Sequence, residues 1–550
     1  MTMDAAAEPE LIAPSRPDWR RGAVRNAAAN GLTRVVSLGL GFLLTPVILH
    51  AIGAEAFGLW VLVGSIVAYG SLLNLGIGGA LTKYIAQHRA RNEGAAARAT
   101  IVAALRLYML MGLLVAAIGV ALAPLLPRLI AVPPELELVA QLTTALMAVG
   151  LGTGIACSTA PAVLRGLQRY DAAGAIAIVT SLLAAASTLL ALALGWGLVG
   201  IVALGVPMPI VSQLLAAVAV RRIAPELSPA VGLVPVPPIG RPSELDAGTG
   251  PTEDPAAAVP SGLTRRILGF SWPLLLLDVA GMLQSKTDEI VVGVMLSLGA
   301  VTPYSLGRRL SAIPRTLAEQ FAILLLPLAS ELDALDDRER LRRLYLGGVR
   351  LSLAIAMPLT GCLALLAVPI LNAWVGPGFE GSAPIVVILV VATAVDLSMW
   401  PAGFVLQGID RHHWLAPISL ASGLANLALS LALVRPFGIV GVAVGTLIPT
   451  TIEAVVLLTP FTLRTLGIGP LRFLAESLAP ALLPLVPMLV LVAGISVIVA
   501  PTSVHAIVAL VTLAHAIYAV GYLATGPAAP ERRLALELAR GVPWLRRGIR

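Results

Sequence analysis

Charge is scarce in this chain. Of 550 residues only 12% are Asp, Glu, Lys or Arg, while 58% are hydrophobic; a soluble domain carries about 25% charged residues. A water-soluble fold of this composition is excluded for want of polar surface. Cysteine is nearly missing, with Cys157 and Cys362 alone. Both fall in apolar stretches, so neither a disulfide framework nor a thiolate metal site is expected. His50, His88, His505 and His515 have no second ligand at helical spacing, and His412 and His413 sit in a polar loop, so no metal is called for. No Gly-rich Walker sequence occurs, which argues against nucleotide-driven pumping. No Ser/His/Asp or Cys/His constellation stands out either, so the chain reads as a non-enzyme. The leader from Met1 to Arg25 lacks a short apolar core with a small-residue cleavage site, and the first span is expected to direct insertion. Lysine is also rare, two residues against 35 arginines. Arginine is the better phosphate ligand of the two.

What the chain does have is apolar stretches of twenty or more residues, almost end to end, each able to cross roughly 30 Å of hydrocarbon. Apolar windows bounded by Gly, Pro and charge place spans 1 to 6 near 26–51, 57–82, 99–123, 138–164, 172–195 and 197–220. Spans 7 to 14 follow near 265–297, 300–328, 346–369, 384–408, 414–434, 438–463, 474–499 and 503–525. The expected fold is all-α and polytopic, with about fourteen transmembrane helices.

Alternate connections sort by charge. Arg16, Arg20, Arg21 and Arg25, then Lys83, Arg89, Arg91 and Arg98, then Arg165 and Arg169, share one side with Arg221, Arg222, Arg265 and Arg266. Arg338, Arg340, Arg342, Arg343, Arg411, Arg464, Arg472 and the cluster from Arg532 to Arg550 fall on that side too, and the opposite loops offer Arg128 and Arg435. By the positive-inside rule both termini are cytoplasmic. The net charge of +7 therefore reflects insertion, and no nucleic-acid partner is inferred.

The expected organisation is a cytoplasmic leader (1–25), a six-helix lobe (26–222), a disordered linker rich in Pro, Gly and Ala (223–262), a second six-helix lobe (263–463), two additional helices (464–526) and a basic tail (527–550). Two matches support a repeat. Val163-Leu164-Arg165-Gly166-Leu167-Gln168-Arg169 returns as Val405-Leu406-Gln407-Gly408-Ile409-Asp410-Arg411, 242 residues on, and Gly197-Leu198-Val199-Gly200-Ile201 returns as Gly438-Ile439-Val440-Gly441-Val442, 241 on. Six spans separate the copies, so the lobes are parallel, with a cavity between them suited to alternating access.

Ionisable groups inside the membrane are functional candidates, because each is costly unless it faces water or a partner. Span 1 carries Asn26, Asn30 and Arg34 on one face. Span 7 carries Asp278, Lys286, Asp288 and Glu289, and span 8 carries Arg308, Arg309, Arg315 and Glu319. Arg308, Arg315 and Glu319 share one face, as do Asp278, Ser285 and Glu289. Depth sets Asp288 beside Arg308, and Asp278 near Arg315 and Glu319. Two readings stand: a wet cationic cavity, or structural ion pairs between neighbouring helices. Lys83 reads first as an interfacial, snorkelling lysine.

The first two spans are recognisable: Leu43-Leu44-Thr45-Pro46-Val47-Ile48-Leu49, Ile52-Gly53-Ala54-Glu55-Ala56-Phe57-Gly58-Leu59-Trp60, and Leu73-Asn74-Leu75-Gly76-Ile77-Gly78-Gly79-Ala80-Leu81-Thr82-Lys83-Tyr84-Ile85-Ala86. With Phe270-Ser271-Trp272-Pro273, Asp288 and Tyr304-Ser305-Leu306, this resembles the Wzx-type polysaccharide flippases of the multidrug/oligosaccharidyl-lipid/polysaccharide exporter superfamily, which also holds lipid II flippases and MATE antiporters. The resemblance implies an inner-membrane transporter that flips an undecaprenyl-diphosphate-linked oligosaccharide. It implies membrane lipids and other polysaccharide assembly proteins as partners, and no cofactor beyond proton or sodium coupling. Arg34, Asn30, Asn74, Arg308 and Arg315 are then the substrate-binding candidates, and Asp278, Asp288, Glu289 and Glu319 the ion-coupling candidates. A MATE-like small-molecule antiporter and a membrane-embedded polymerase or ligase are the rival readings. The first would want an acidic cavity, and the second a large external loop.

Overall fold

The computed structural model describes residues 18–74, 77–130, 132–230, 263–322, 324–499, 501–529 and 531–532. Helix dominates, and no strand occurs among these residues. That is the only economical way to satisfy backbone groups in hydrocarbon outside a closed barrel. Eleven described segments are long and apolar enough to cross a membrane. Spans 7 and 8, Leu263–Met295 and Leu298–Ala322, are equally long helices but carry the charges named above. The stretch Leu415–Leu466 reverses at Gly438, whose φ of 59° and ψ of −142° break the helix between spans 11 and 12.

The two halves repeat in their packing. Span 1 lies along span 5 and span 3 along span 4; in the second half, span 7 lies along span 11 and span 9 along span 10. Helix ends repeat as well. Among the described residues four non-glycine residues have left-handed backbone, and they form two pairs: Asn92 with Asp336, and Gln168 with Asp410. Each follows the end of a helix and closes it. Arg169 N–H donates to Leu164 O at 2.9 Å and Arg411 N–H to Leu406 O at 2.8 Å, while Glu93 N–H donates to His88 O at 2.9 Å and Asp337 N–H to Leu332 O at 3.0 Å. These are the six-to-one bonds of a Schellman ending, normally assigned to glycine. The pair at 168 and 410 lies inside the sequence match. The pair at 92 and 336, 244 residues apart, has no residue identity to show it.

Several boundaries differ from the sequence reading, and spans 4, 6 and 8 are each divided into two helices. Span 2 is broken: helix Ala54–Ala68 passes into a 3-10 turn, Tyr69–Asn74, before helix Ile77–Ala90. Span 9 begins earlier, as helix Arg338–Leu365, because Asp337 caps it by accepting from Arg340 N–H at 3.0 Å. The linker expected at 223–262 does not begin at 223: Ala224 and Leu227 are 3% and 5% exposed against the first lobe's core. A short apolar pair is enough to hold the 3-10 turn Pro225–Ala230 on that core. The remainder of the linker, 231–262, lies outside the described residues, as do the leader to 17 and most of the tail. Spans 13 and 14 pack on span 9, where Arg350, buried in the helix, donates to Glu531 at 2.6 Å and to Glu476 O at 3.0 Å.

Candidate functional site

The lobes meet over spans 1, 2, 7 and 8 and the short helix Ala367–Val375. Small residues make the approach close: a Cβ on Gly58 would stand 2.1 Å from the carbonyl oxygen of Leu298, and one on Gly293 2.5 Å from Leu62. Polar ties follow. Thr302 donates to Ala54 O at 2.6 Å, Arg309 to Thr45 Oγ1 at 2.9 Å, and Trp374 Nε1 to Phe42 O at 2.8 Å, with the Trp374 and Phe42 rings stacked 4.5 Å apart. Arg309 also lies over Phe57 and Trp60, at 5.4 and 5.8 Å, so its charge is spent on closing the interface.

Deeper along the same seam, Tyr69, at the break of span 2, shares a hydrogen bond with Thr287 and donates to Met282 O at 3.3 Å. The lobe-to-lobe hydrogen bonds named above lie at or before Tyr69 in the first lobe. Towards the arginine-rich loops, Arg34 and Asp278 are exposed, and the Arg315 side chain is 46% exposed. The polar ties of the seam therefore gather towards the end holding Gly53 and Gly376, while span 7 also packs on helix Ile77–Ala90.

Next to Thr287 on span 7, a mixed cluster is buried in the second lobe. Asp288 is fully buried and its Oδ2 accepts from Tyr304 at 2.7 Å, Thr446 at 2.8 Å and Arg308 at 3.4 Å. Arg308 Nε also pairs with Glu289 at 3.2 Å. Asn426 donates to Thr446 at 3.0 Å. Asp288 Oδ1, Glu289 Oε2 and Asn426 Oδ1 remain as buried oxygens without a hydrogen-bond partner among the described residues. Lys286, half-buried, has no ion pair or hydrogen bond among the described residues, although Glu289, Arg308 and Arg309 all act on it. Asn74, at the end of the span 2 turn, also keeps a buried unpartnered oxygen. A discontinuous helix with free polar groups at mid-depth is the way transporters line a binding site.

Comparison with known proteins bears on this arrangement. Residues 23–333, over half the chain, match the family described as polysaccharide biosynthesis protein. The chain belongs to that family. Among curated relatives it is 25% identical over 206 residues to the uncharacterized membrane protein EpsK of Bacillus subtilis, covering 37% of this chain and 41% of that one. It is 21% identical over 191 residues to the probable low-salt glycan biosynthesis flippase Agl15 of Haloferax volcanii, covering 35% and 40%. The chain thus spans about two-fifths of the length of the curated relatives it matches. Among solved structures it is similar to the lipid II flippase MurJ in an inward closed conformation, with a TM-score of 0.64 and 14% identity over 91% of this chain and 99% of that one. That likeness establishes the polytopic helical transporter fold.

Within this member of the family, the sequence-derived candidates separate. Arg308 and Asp288 pair as their depths implied, but Glu289 shares the same guanidinium, so Arg308 is not a free cation. Arg315 does not meet Asp278: it pairs with Glu319 at 3.1 Å and with Asp396 of span 10 at 3.5 Å, and stands over Trp400 at 4.7 Å. Asp278 points to the exposed side and has no ion pair among the described residues. Arg34 is exposed on span 1. The side chain of Asn30 lies outside the described residues. Reading residues one helix at a time missed Tyr69, Thr446, Asn426 and Asp396, because uncharged or lone polar residues give no periodic stripe. Lys286 was visible as an intramembrane charge, yet only the paired state of its neighbours singles it out.

Proposed function

We propose that this protein carries an oligosaccharide linked to a prenyl diphosphate, of the undecaprenyl class, across the inner membrane by alternating access of its two lobes. One observation carries the reading. Lys286, without an ion pair among the described residues, lies on span 7 next to Thr287, which bonds Tyr69 at the broken turn of span 2, and in this reading it faces a cleft between the lobes that Asn74 and Arg34 also line. A lipid diphosphate bears at least two negative charges that hydrocarbon will not accept, and charge-assisted bonds inside a wet cleft replace its hydration. The prenyl tail stays in lipid at the gap between lobes while the headgroup passes.

The ion-coupling candidates sort in the same way. Asp288 and Glu289, with Asn426 and Thr446, gather oxygens that a proton or a sodium ion would satisfy, and Arg308 competes for the same oxygens. Cation uptake would release Arg308 towards the cleft. Asp278 and Glu319 lie further towards the arginine-rich loops along spans 7 and 8, where in this reading a proton or sodium ion would enter. Loop charge places those loops, and both termini, on the cytoplasmic side.

The test is translocation. Full-length protein in vesicles, with a fluorescent sugar on a short-chain prenyl diphosphate loaded on one side, should deliver the sugar to a membrane-impermeant quencher on the other, and Lys286→Gln should slow delivery at least tenfold. Equal rates in protein-containing and empty vesicles would overturn the reading. Export of small organic cations without sugar movement would instead make the protein an antiporter.

A further inference from the structure

Away from the cleft, the second lobe encloses a carboxyl group that the cycle above does not use. Glu453 lies in a π-helical turn, Ile452–Leu458, within span 12, and is 2% exposed. A π-turn adds one residue to a helix, swings side chains off the regular face and recurs at functional positions. Its carboxylate binds spans 11 and 7: Oε1 accepts from Ser419 at 2.7 Å, and Oε2 from the amide of Gln284 at 3.3 Å. The same amide nitrogen reaches Ser419 O at 3.4 Å. Reversed, the amide would set its oxygen against two others, so the partners decide its orientation.

Two further groups face Glu453. Ser422, one turn along span 11, is within its reach, yet its hydroxyl is buried without a geometrically formed hydrogen bond. From span 10 the charged neighbour is Asp396, which accepts from Trp400 Nε1 at 3.0 Å and pairs with Arg315. Arg315 and Glu319, 46% and 23% exposed at the side chain, continue this polar line towards the arginine-rich loops.

We propose that Glu453 is a proton-binding site whose protonation state sets how firmly span 12 holds spans 7 and 11. Hydroxyl and amide donors point at the carboxylate and hold its ionised form, which burial among apolar helices opposes, so the two states are set against each other. Ionised, it draws two charge-assisted bonds from two other helices. Neutral, it is a weaker acceptor for Gln284, and its new hydroxyl has Ser422 Oγ as acceptor. Each state has its own partners, which is what a switch requires. The repeat sharpens the contrast. An offset of 241 sets Gln213 of span 6 one residue from the position of Glu453, and there a neutral amide does a static job, accepting Ala160 N–H at 3.0 Å where span 4 is broken. The second lobe keeps an acid at this place, and span 7, which it grips, carries Lys286 and Asp288. The proton comes from water along the line of Glu319, Arg315 and Asp396, and no bond other than O–H forms or breaks.

Full-length protein in lipid should show, by pH-difference infrared spectroscopy, a protonated-carboxyl band that titrates and that Glu453→Gln removes. Ser419→Ala, which deletes a donor to the anion but no carboxyl, should keep the band and displace its midpoint. Spin labels at Arg91→Cys and Asp410→Cys, one in each lobe, should change separation with the same midpoint in the wild type and not at all with pH in Glu453→Gln. A band that survives Glu453→Gln, a midpoint unmoved by Ser419→Ala, or a label separation that shifts with pH equally in wild type and Glu453→Gln would each overturn the proposal. Protons are the only probe, so the result is independent of which molecule the cleft carries.

Discussion

Adding one methyl group at Gly58 should push the lobes apart at their closed end. The Cβ would lie 2.1 Å from the carbonyl oxygen of Leu298, and 3.1 Å from Thr302 Oγ1. A backbone oxygen cannot swing aside as a flexible side chain would, so the two helices must separate by about 1 Å to reach ordinary contact. Overpacking of this kind costs about 1–3 kcal/mol. The cost falls on the closed arrangement, because the cluster around this contact, with Leu59 and Leu298, is shared between the lobes, while each lobe also has a core of its own that the contact does not enter. The balance between closed and open ends should therefore shift by about 5- to 150-fold at 1.4 kcal/mol per factor of ten. Thr45, 1% exposed at this interface, supplies the reporter: a Thr45→Cys thiol reacts with a membrane-impermeant maleimide only when the end opens, and Cys157 and Cys362 are buried. Gly58→Ala should accelerate that labelling by the stated factor. Gly64→Ala, on the same helix with nothing within 4 Å of its Cβ, should leave it unchanged. Equal rates for the two variants would refute the closed-end contact.

Arg308→Ala leaves Asp288 and Glu289 buried without their cation, a change worth about 3–5 kcal/mol against the fold; melting in detergent should fall sharply, whereas Lys286→Gln should melt like the wild type. Gln168→Gly should raise stability by about 1 kcal/mol, since glycine meets no Cβ clash in the left-handed region; a loss on denaturant titration would contradict the Schellman assignment. A reporter inserted at Gly378 should read external and one after Arg222 cytoplasmic, and the opposite result at either would reverse the topology. Glu531→Gln should weaken the charge-assisted tie to Arg350 and speed hydrogen exchange in Val504–Ala524; unchanged exchange would make that pair incidental.

Much of the architecture was legible in the chain alone because hydrocarbon is an undemanding reader. Length and apolarity define a span without reference to any partner, so the polytopic class and the repeat follow from local text. The charged stripes of spans 7 and 8 were equally visible. Their partners were not: whether Arg315 meets Asp278 or Asp396 depends on which helix packs beside span 8, and sequence spacing carries information about one helix only. The same limit hid Glu453, a lone acid in an apolar span, whose turn inward depends on a π-helical residue with no sequence marker.

Composition and periodicity thus determined by themselves that this chain lies in a membrane, in two like halves, with charge concentrated where those halves adjoin. Only tertiary structure decided which charges neutralise one another and which remain to do work. Arg308 is held by Asp288 and Glu289, Arg309 by Thr45 and two aromatic rings, and Arg315 by Glu319 and Asp396, while Lys286 has no ion pair among the described residues. The reason is physical: the free energy of an intramembrane charge is set by what stands within a few ångströms of it, and that is a property of packed helices.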